Sequence, residues 1–346
     1  MYSTDKGNFK RFLNRFSDQI IESKTIFKKS AININSKKVD KILYLGMGGS
    51  AIAGDVLNDV LFNYLTIPMH VVRGYEVPGY CDNRCLVIAS SYSGDTEETI
   101  NAVQKASKTS GQIIAVTSGG KLLDLAQKNG WGVIKIPQGF PPRQAFGYLF
   151  FPVLLMLNKF SKKAVTERKI NDIYRFIKML IQRHDEESAE GKILCRELAV
   201  KLRYKIPIIY SSEPYFKAVA TRWRTQFQEN SKSMAFCNVI PEMNHNEIVG
   251  WEMANKILTN FVVIFLENDS HPTRIKTRIQ LTKNIIRDKG IEVVEIYSHG
   301  ETLLENVISL ICIGDWVSYY LALLYEKNPA AIINIDYLKS ELKKMA

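Results

Sequence analysis

The sequence predicts an α/β protein made of two tandem units, each a mainly parallel sheet flanked by helices. Short apolar runs without period-two alternation recur between helical stretches, at Lys41–Leu45, Met69–Arg73, Cys85–Ala89, Gln112–Thr117 and Trp131–Ile136. Such runs suit strands buried on both faces, with helices as the crossovers. The pattern then restarts, with runs at Pro207–Tyr210, Ala235–Asn238, Phe261–Leu266 and Glu292–Tyr297. Both halves open alike, ILYLGMGGSAIAGDVL in the first and IPIIYSSEPYFKAVATRW in the second, as expected of a duplicated domain.

Taken in order, the chain begins with a helical stretch whose Phe9, Phe12, Phe16 and Ile20 share one face at spacings of three and four. Lys41–Leu45 runs into a glycine turn and an apolar helix from Ala51 to about Tyr64. Cys85–Ala89 meets a polar turn and a helix from about Thr96 to Ser107, and Gln112–Thr117 leads to a helix over Lys121–Asn129. In GFPPRQAF, Pro141 and Pro142 are placed to start a helix. Phe146–Leu157, broken by Gly147 and Pro152, is far short of the roughly 20 apolar residues that span a bilayer and reads as a core helix. Ser161–Lys192 is mostly charged with helical periodicity and reads as a connecting helical hairpin. An apolar helix at Val307–Tyr325 and a short terminal helix close the chain. The expected division is residues 1–159, a connector at 160–192, a second unit at 193–325 and a tail helix at 326–346.

The net charge of +11 favours anionic ligands, yet the lysines are dispersed and no basic run carries interleaved aromatics, so nucleic acid is not the expected partner. The first residues, MYSTDKGNFKRF, are charged at once and form no secretory signal. Five cysteines, an odd number within apolar stretches, read as reduced thiols of a cytoplasmic protein. Cys81 and Cys85 have a tolerable spacing for metal ligands, but no second pair or nearby histidine completes a site, so no metal is expected.

Two turns carry the chemistry. Gly46–Ser50 follows a strand and opens a helix, so its backbone can approach a ligand closely while the helix N-terminus favours an anion. Alone, this turn also fits the dinucleotide pattern, with Arg73 near the end of the next strand available to a 2′-phosphate. The second turn, Ser90–Thr96, also lies between a strand and a helix. Capping by Ser93 or Asp95 explains one of its hydroxyls, but not Ser91, Ser93 and Thr96 together. Hydroxyls donate to phosphate oxygens without adding charge, so the paired turns predict a bound phosphate held by Gly48, Gly49, Ser50, Ser91, Ser93 and Thr96.

The pairing GxGGSxxxG with SxSGDTxET resembles the sugar isomerase (SIS) domain. The segments GFPPRQAFGYLF, TQFQENSKSMAFCNVIPEMNHNEIVGWE and GDWVSYYLALLYEKNPAAIINIDYLKSEL are similar to the bifunctional phosphoglucose/phosphomannose isomerase family, over about residue 40 to the C-terminus. The resemblance implies two tandem SIS domains and a homodimer acting on a phosphorylated hexose. The implied reaction interconverts glucose 6-phosphate and fructose 6-phosphate, and also mannose 6-phosphate, without a cofactor. It further implies that Glu229 is the catalytic base, that Arg143 lies near C1 and C2, and that Lys339 assists at the ring oxygen. His245, lent by the neighbouring subunit, opens the ring.

These residue types suit an enediol reaction. One ionised carboxylate can take a proton from one carbon and return it to the next, and a histidine can protonate the ring oxygen near neutral pH. Of the five histidines (His70, His184, His245, His271 and His299) only His245 sits in a crowded polar loop, beside Glu242, Asn244, Asn246 and Glu247. A fixed cation such as Arg143 stabilises the developing enediolate. The chain departs from the family pattern at Ala330-Ala331, where relatives commonly read Thr-Pro, and this departure bears on phosphomannose more than on phosphoglucose activity. Two other readings stand at this point: a sugar-phosphate sensor without turnover, and an NADP-dependent oxidoreductase.

Overall fold

The computed structural model describes residues 4–163, 165–185, 191–252 and 256–345. The first sheet holds β1 (Lys41–Leu45), β2 (Met69–Val72), β3 (Cys85–Ser90), β4 (Gln112–Thr117) and β5 (Gly132–Lys135), all parallel, in the order β2-β1-β3-β4-β5. The second holds β6 (Ile206–Ser212), β7 (Phe236–Ile240), β8 (Phe261–Glu267) and β9 (Glu292–Tyr297), again parallel, in the order β7-β6-β8-β9. In each sheet the first strand lies between the next two, so a topological switch opens a crevice at its C-terminal end.

The leading helical stretch is two helices, α1 (Lys10–Asn14) and α2 (Phe16–Ser30), separated by Arg15, which leaves helical geometry at φ −83° and ψ 2°. Phe9, Phe12, Phe16 and Ile20 are all buried, as their spacing predicts. The first unit continues with α3 (Gly48–Leu61), α4 (Glu97–Ala106), α5 (Gly120–Lys128) and α6 (Phe146–Leu157), the last buried along its whole length.

The segment expected to be a connector contributes directly to the core. Its first arm, α7 (Glu167–His184), buries Ile170, Ile173, Ile177, Leu180 and Ile181 in the same cluster as α2 and α6. Each such side chain removed from water contributes about 2 kcal/mol. Charged residues on the outer face of α7 hid this inner stripe from a reading by composition. Residues 186–190 of the expected hairpin lie outside the described residues.

The second unit has α8 (Gly191–Leu202), α9 (Lys217–Ser231), α10 (Thr273–Arg287), α11 (Leu303–Leu324) and the terminal α12 (Ile333–Met345). By length and composition α11 could cross a membrane, but 94% of its apolar window is buried inside the protein. It starts at a capping box, Thr302 with Glu305, and packs along α9, α8 and α7. By contrast, α12 has no buried residue.

Candidate active site

α3 and α9 run antiparallel across the boundary between the two sheets. At one end Asp59 of α3 accepts from the Ala218 N–H of α9 (2.8 Å), and at the other the start of α3 meets the end of α9 through Arg143. The site therefore lies where the C-terminal edge of the first sheet approaches the N-terminal edge of the second.

The two glycine and serine turns are joined. The Tyr92 N–H donates to Ser50 Oγ (3.2 Å), and both Ser50 and Ser91 are buried. Ser91 Oγ donates to Thr96 Oγ1 (2.9 Å) and accepts from the Gly94 N–H (3.1 Å), while Ser93 is exposed and its Oγ accepts from the Asp95 N–H (3.2 Å). Gly94 has φ +77°, and a Cβ there would sit 1.7 Å from the Gly119 carbonyl oxygen, so the loop closes only with glycine. Capping does not explain these hydroxyls. Asp95 Oδ1 accepts from Lys121 N (3.0 Å), at the start of α5, and neither α3 nor α4 receives a side-chain cap. Gly48, at φ +49°, opens α3. Two helix N-termini are thus left with unpaired amide donors at one crevice, the arrangement that binds anions.

Gly49 fixes the next residue of the site. A Cβ on it would lie 3.1 Å from Arg143 Cα and 3.2 Å from the Pro142 carbonyl oxygen, so the 3₁₀ turn Pro142–Gln144 packs directly on the Gly46–Ser50 turn. From there the Arg143 side chain crosses to α9. Its Nε donates to Asn230 Oδ1 (2.6 Å), one Nη2–H donates to the Pro329 carbonyl (2.6 Å), and Nη1 lies 3.3 Å from Glu229 Oε2. The guanidinium is buried, with its Cζ 5.3 Å from the centre of the Phe9 ring. Burial lowers the Arg143 pKa and the Glu229 carboxylate opposes that shift, and the guanidinium keeps its charge. Behind it, Arg222 donates to the Arg143 carbonyl (3.0 Å) and pairs with buried Asp315 (2.8 Å), which also accepts from Gln226 (2.6 Å). The crevice and the Glu229 carboxylate are thus one arginine side chain apart, and a cation touches that carboxylate.

His245 and Lys339 stand elsewhere within one chain. α9 returns from the C-terminal end of β6 to the start of β7, which places Glu229 near the N-terminal edge of the second sheet. His245 ends a 3₁₀ turn, Glu242–His245, after the opposite end of β7, about 15 Å away along the strand alone. It is exposed, and Lys339 is exposed on α12. The loop bearing His245 is anchored by Glu247, which accepts from Tyr210 Oη and Asn238 Nδ2 (2.5 Å each). Two histidines with ordinary sequence settings are in fact buried: burial pushes His184 and His271 down to about 4. Among the described residues no group of three or more His, Cys, Asp or Glu side chains could hold a metal ion.

Composition and spacing gave no role to Asn230, Lys232 or the Pro329 carbonyl, all of which touch Arg143 or the end of α9. Asn230 and Lys232 lie within three residues of Glu229, and that adjacency was the available signal. Arg73, the residue a 2′-phosphate would need, is paired with Asp55.

The fold and this crevice define a tandem SIS-domain protein of the phosphosugar-isomerase type. Residues 193–342 match the bacterial phospho-glucose isomerase C-terminal SIS domain and residues 35–126 match the SIS domain. A bifunctional phosphoglucose/phosphomannose isomerase from Caldicellulosiruptor bescii is 40% identical over 328 residues, 95% of this chain and 97% of that one. One from Aquifex aeolicus is 35% identical over 88% of this chain and 91% of its own length. The chain belongs to the bifunctional phosphoglucose/phosphomannose isomerase family. Among solved structures, tagatose-6-phosphate ketose/aldose isomerase from Escherichia coli shares the fold at a TM-score of 0.73 and 15% identity, over 95% of this chain and 97% of that one. A hypothetical protein from Thermus thermophilus shares it at 0.78 and 14%, over 98% and 91%.

Proposed function

We propose that this chain interconverts glucose 6-phosphate and fructose 6-phosphate, and with lower efficiency mannose 6-phosphate, by proton transfer through a cis-enediol. The observation that carries the reading is Arg143, whose backbone lies against the phosphate turn and whose guanidinium lies against Glu229. A hexose phosphate anchored by the hydroxyls of Ser50, Ser91, Ser93 and Thr96 and by the amides at the starts of α3 and α4 extends along Arg143, and its C1 and C2 reach the carboxylate. Glu229 removes the proton from one carbon and returns it to the other, and the guanidinium offsets the charge that develops on the enediolate oxygens. Ala330, where the family pattern reads differently, offers its carbonyl to Arg143 at 3.5 Å, so the departure falls beside the C1–C2 end of the pocket.

In this reading the enzyme works as a cytoplasmic homodimer. The distance between Glu229 and His245 within one chain supports a site completed by His245 of a second copy, which protonates the ring oxygen, with Lys339 on the unburied α12 also reaching that oxygen. Mixing tests this. Glu229→Gln and His245→Ala are each inactive, but an equal mixture allowed to exchange subunits regains about a quarter of wild-type activity, because half the dimers are mixed and each holds one intact site. No recovery on exchange rejects the shared site. Product analysis on glucose and mannose 6-phosphates side by side tests the reaction itself, and tight binding of fructose 6-phosphate without conversion would make the protein a sensor instead.

A further inference from the structure

Lys232 is the residue after the end of α9 and adopts the left-handed conformation, φ +55°, which glycine tolerates and other residues resist. Its Nζ donates to the carbonyls of Glu229 (2.8 Å), Asn230 (3.1 Å) and Asn328 (2.7 Å), with that of Pro329 at 3.5 Å. All three ammonium protons are thus taken by main-chain oxygens, and among the described residues no carboxylate is paired with it.

The targets of these bonds matter. Two belong to the last turn of α9, where the negative end of the helix dipole welcomes a cation. The others belong to the segment Asn328–Pro329, and the Pro329 carbonyl is the oxygen that Arg143 Nη2 also uses. One ammonium therefore ties the residue bearing the carboxylate to the loop gripping the guanidinium. Beyond Lys232 an open cavity of about 440 Å³ is lined by Arg203, Lys327 and Glu326, but the ends of α8, α9 and α11 converge there and offset its cations, so it gives no case for an anion site.

We propose that Lys232 is a positioning residue for the isomerisation, holding Glu229 and Arg143 in register by clamping the end of α9 to the Asn328–Pro329 segment. The proposal rests on the isomerase reading above. Of the charged groups around the ammonium, Arg143 and Lys327 disfavour its charge and Glu229 favours it. Burial weighs most, and the pKa falls to about 8. The clamp therefore weakens as pH rises through that value, while the guanidinium stays charged.

The test compares wild type with Lys232→Gly and Lys232→Met in kcat, KM and pH profile for fructose 6-phosphate, with thermal melting alongside. Glycine suits the backbone at this position, so Lys232→Gly is the variant that keeps the fold. Misplacing the base relative to the cation is expected to lower kcat about 100-fold, with KM changed less than about threefold because the phosphate is held elsewhere. Wild-type kcat is expected to fall above about pH 8, and that limb disappears in both variants. Variants that retain wild-type kcat and the same alkaline limb overturn the proposal. Absence of isomerase activity in the wild type instead removes the reading on which it rests.

Discussion

At the C-terminal edge of the first sheet, α3 and α4 begin without side-chain caps, and their free amides face a crevice lined by Ser50, Ser91 and Thr96. At the same edge of the second sheet the equivalent groups already have partners in the protein. The α9 amide of Ala218 is taken by Asp59, a carboxylate from the other half. Ser212 Oγ lies 3.3 Å from the ring of buried His271, Glu267 pairs with Lys283 (2.8 Å), and Asn268 donates to Ser298 (2.8 Å). A strand, turn and helix used twice thus leaves one anion position open to a ligand and fills the other with a carboxylate. The second unit contributes the opposite end of α9 to the site, where Glu229 meets Arg143.

The comparison is broken most completely by closing the open turn. Gly94→Val places a side chain against the Gly119 carbonyl at a positive φ, and kcat/KM is expected to fall more than about 100-fold with melting lowered by several degrees. Steady-state kinetics and calorimetry on the purified variant check both. Milder is Ser50→Ala with Ser91→Ala, which removes hydroxyls but keeps the amides. KM is expected to rise about 30-fold with kcat near wild type, since each of the two lost hydrogen bonds contributes about 1 kcal/mol net. A fall in kcat with unchanged KM would assign these serines to the chemistry instead.

The filled turn gives smaller effects. Asp59→Ala uncaps α9 across the boundary between halves and is expected to cost about 1–2 kcal/mol in urea unfolding without a change in KM. Burial, opposed by the Ala218 N–H, pushes the Asp59 carboxyl up to about 7. Below its unfolded value of 3.8 both states are protonated. Between that value and about 7 the folded state holds the extra proton, so this group's contribution to stability declines as pH rises from about 4 to about 7. Unfolding measured across that range in wild type and Asp59→Asn is expected to show the slope in the first and not in the second.

Much of the fold was legible because it rests on local pattern. Parallel strands are short apolar runs, and Gln112–Thr117 and Glu292–Tyr297 begin and end where those runs do. The turns at Gly46–Ser50 and Ser90–Thr96 stood out because glycine and clustered hydroxyls have few other uses between a strand and a helix, and the structure joins them through Ser50 and Tyr92. Whatever depends on a distant partner was not. The inner face of α7 is defined by what α2 and α11 bring to it, the burial of His184 and His271 by their surroundings, and the duties of Asp59 and Lys232 by main-chain groups that carry no sequence signature. Asn230 could be read only as a neighbour of Glu229 until Arg143 was found against it.

The division of labour between the halves is tested most directly by one paired measurement, the fructose 6-phosphate Kd and the kcat of Glu229→Gln against those of the Ser50→Ala/Ser91→Ala variant. The account predicts that Glu229→Gln keeps Kd within about threefold and loses at least about 100-fold in kcat, whereas the double serine variant does the reverse. A Glu229→Gln enzyme that binds and turns over like the wild type would contradict it.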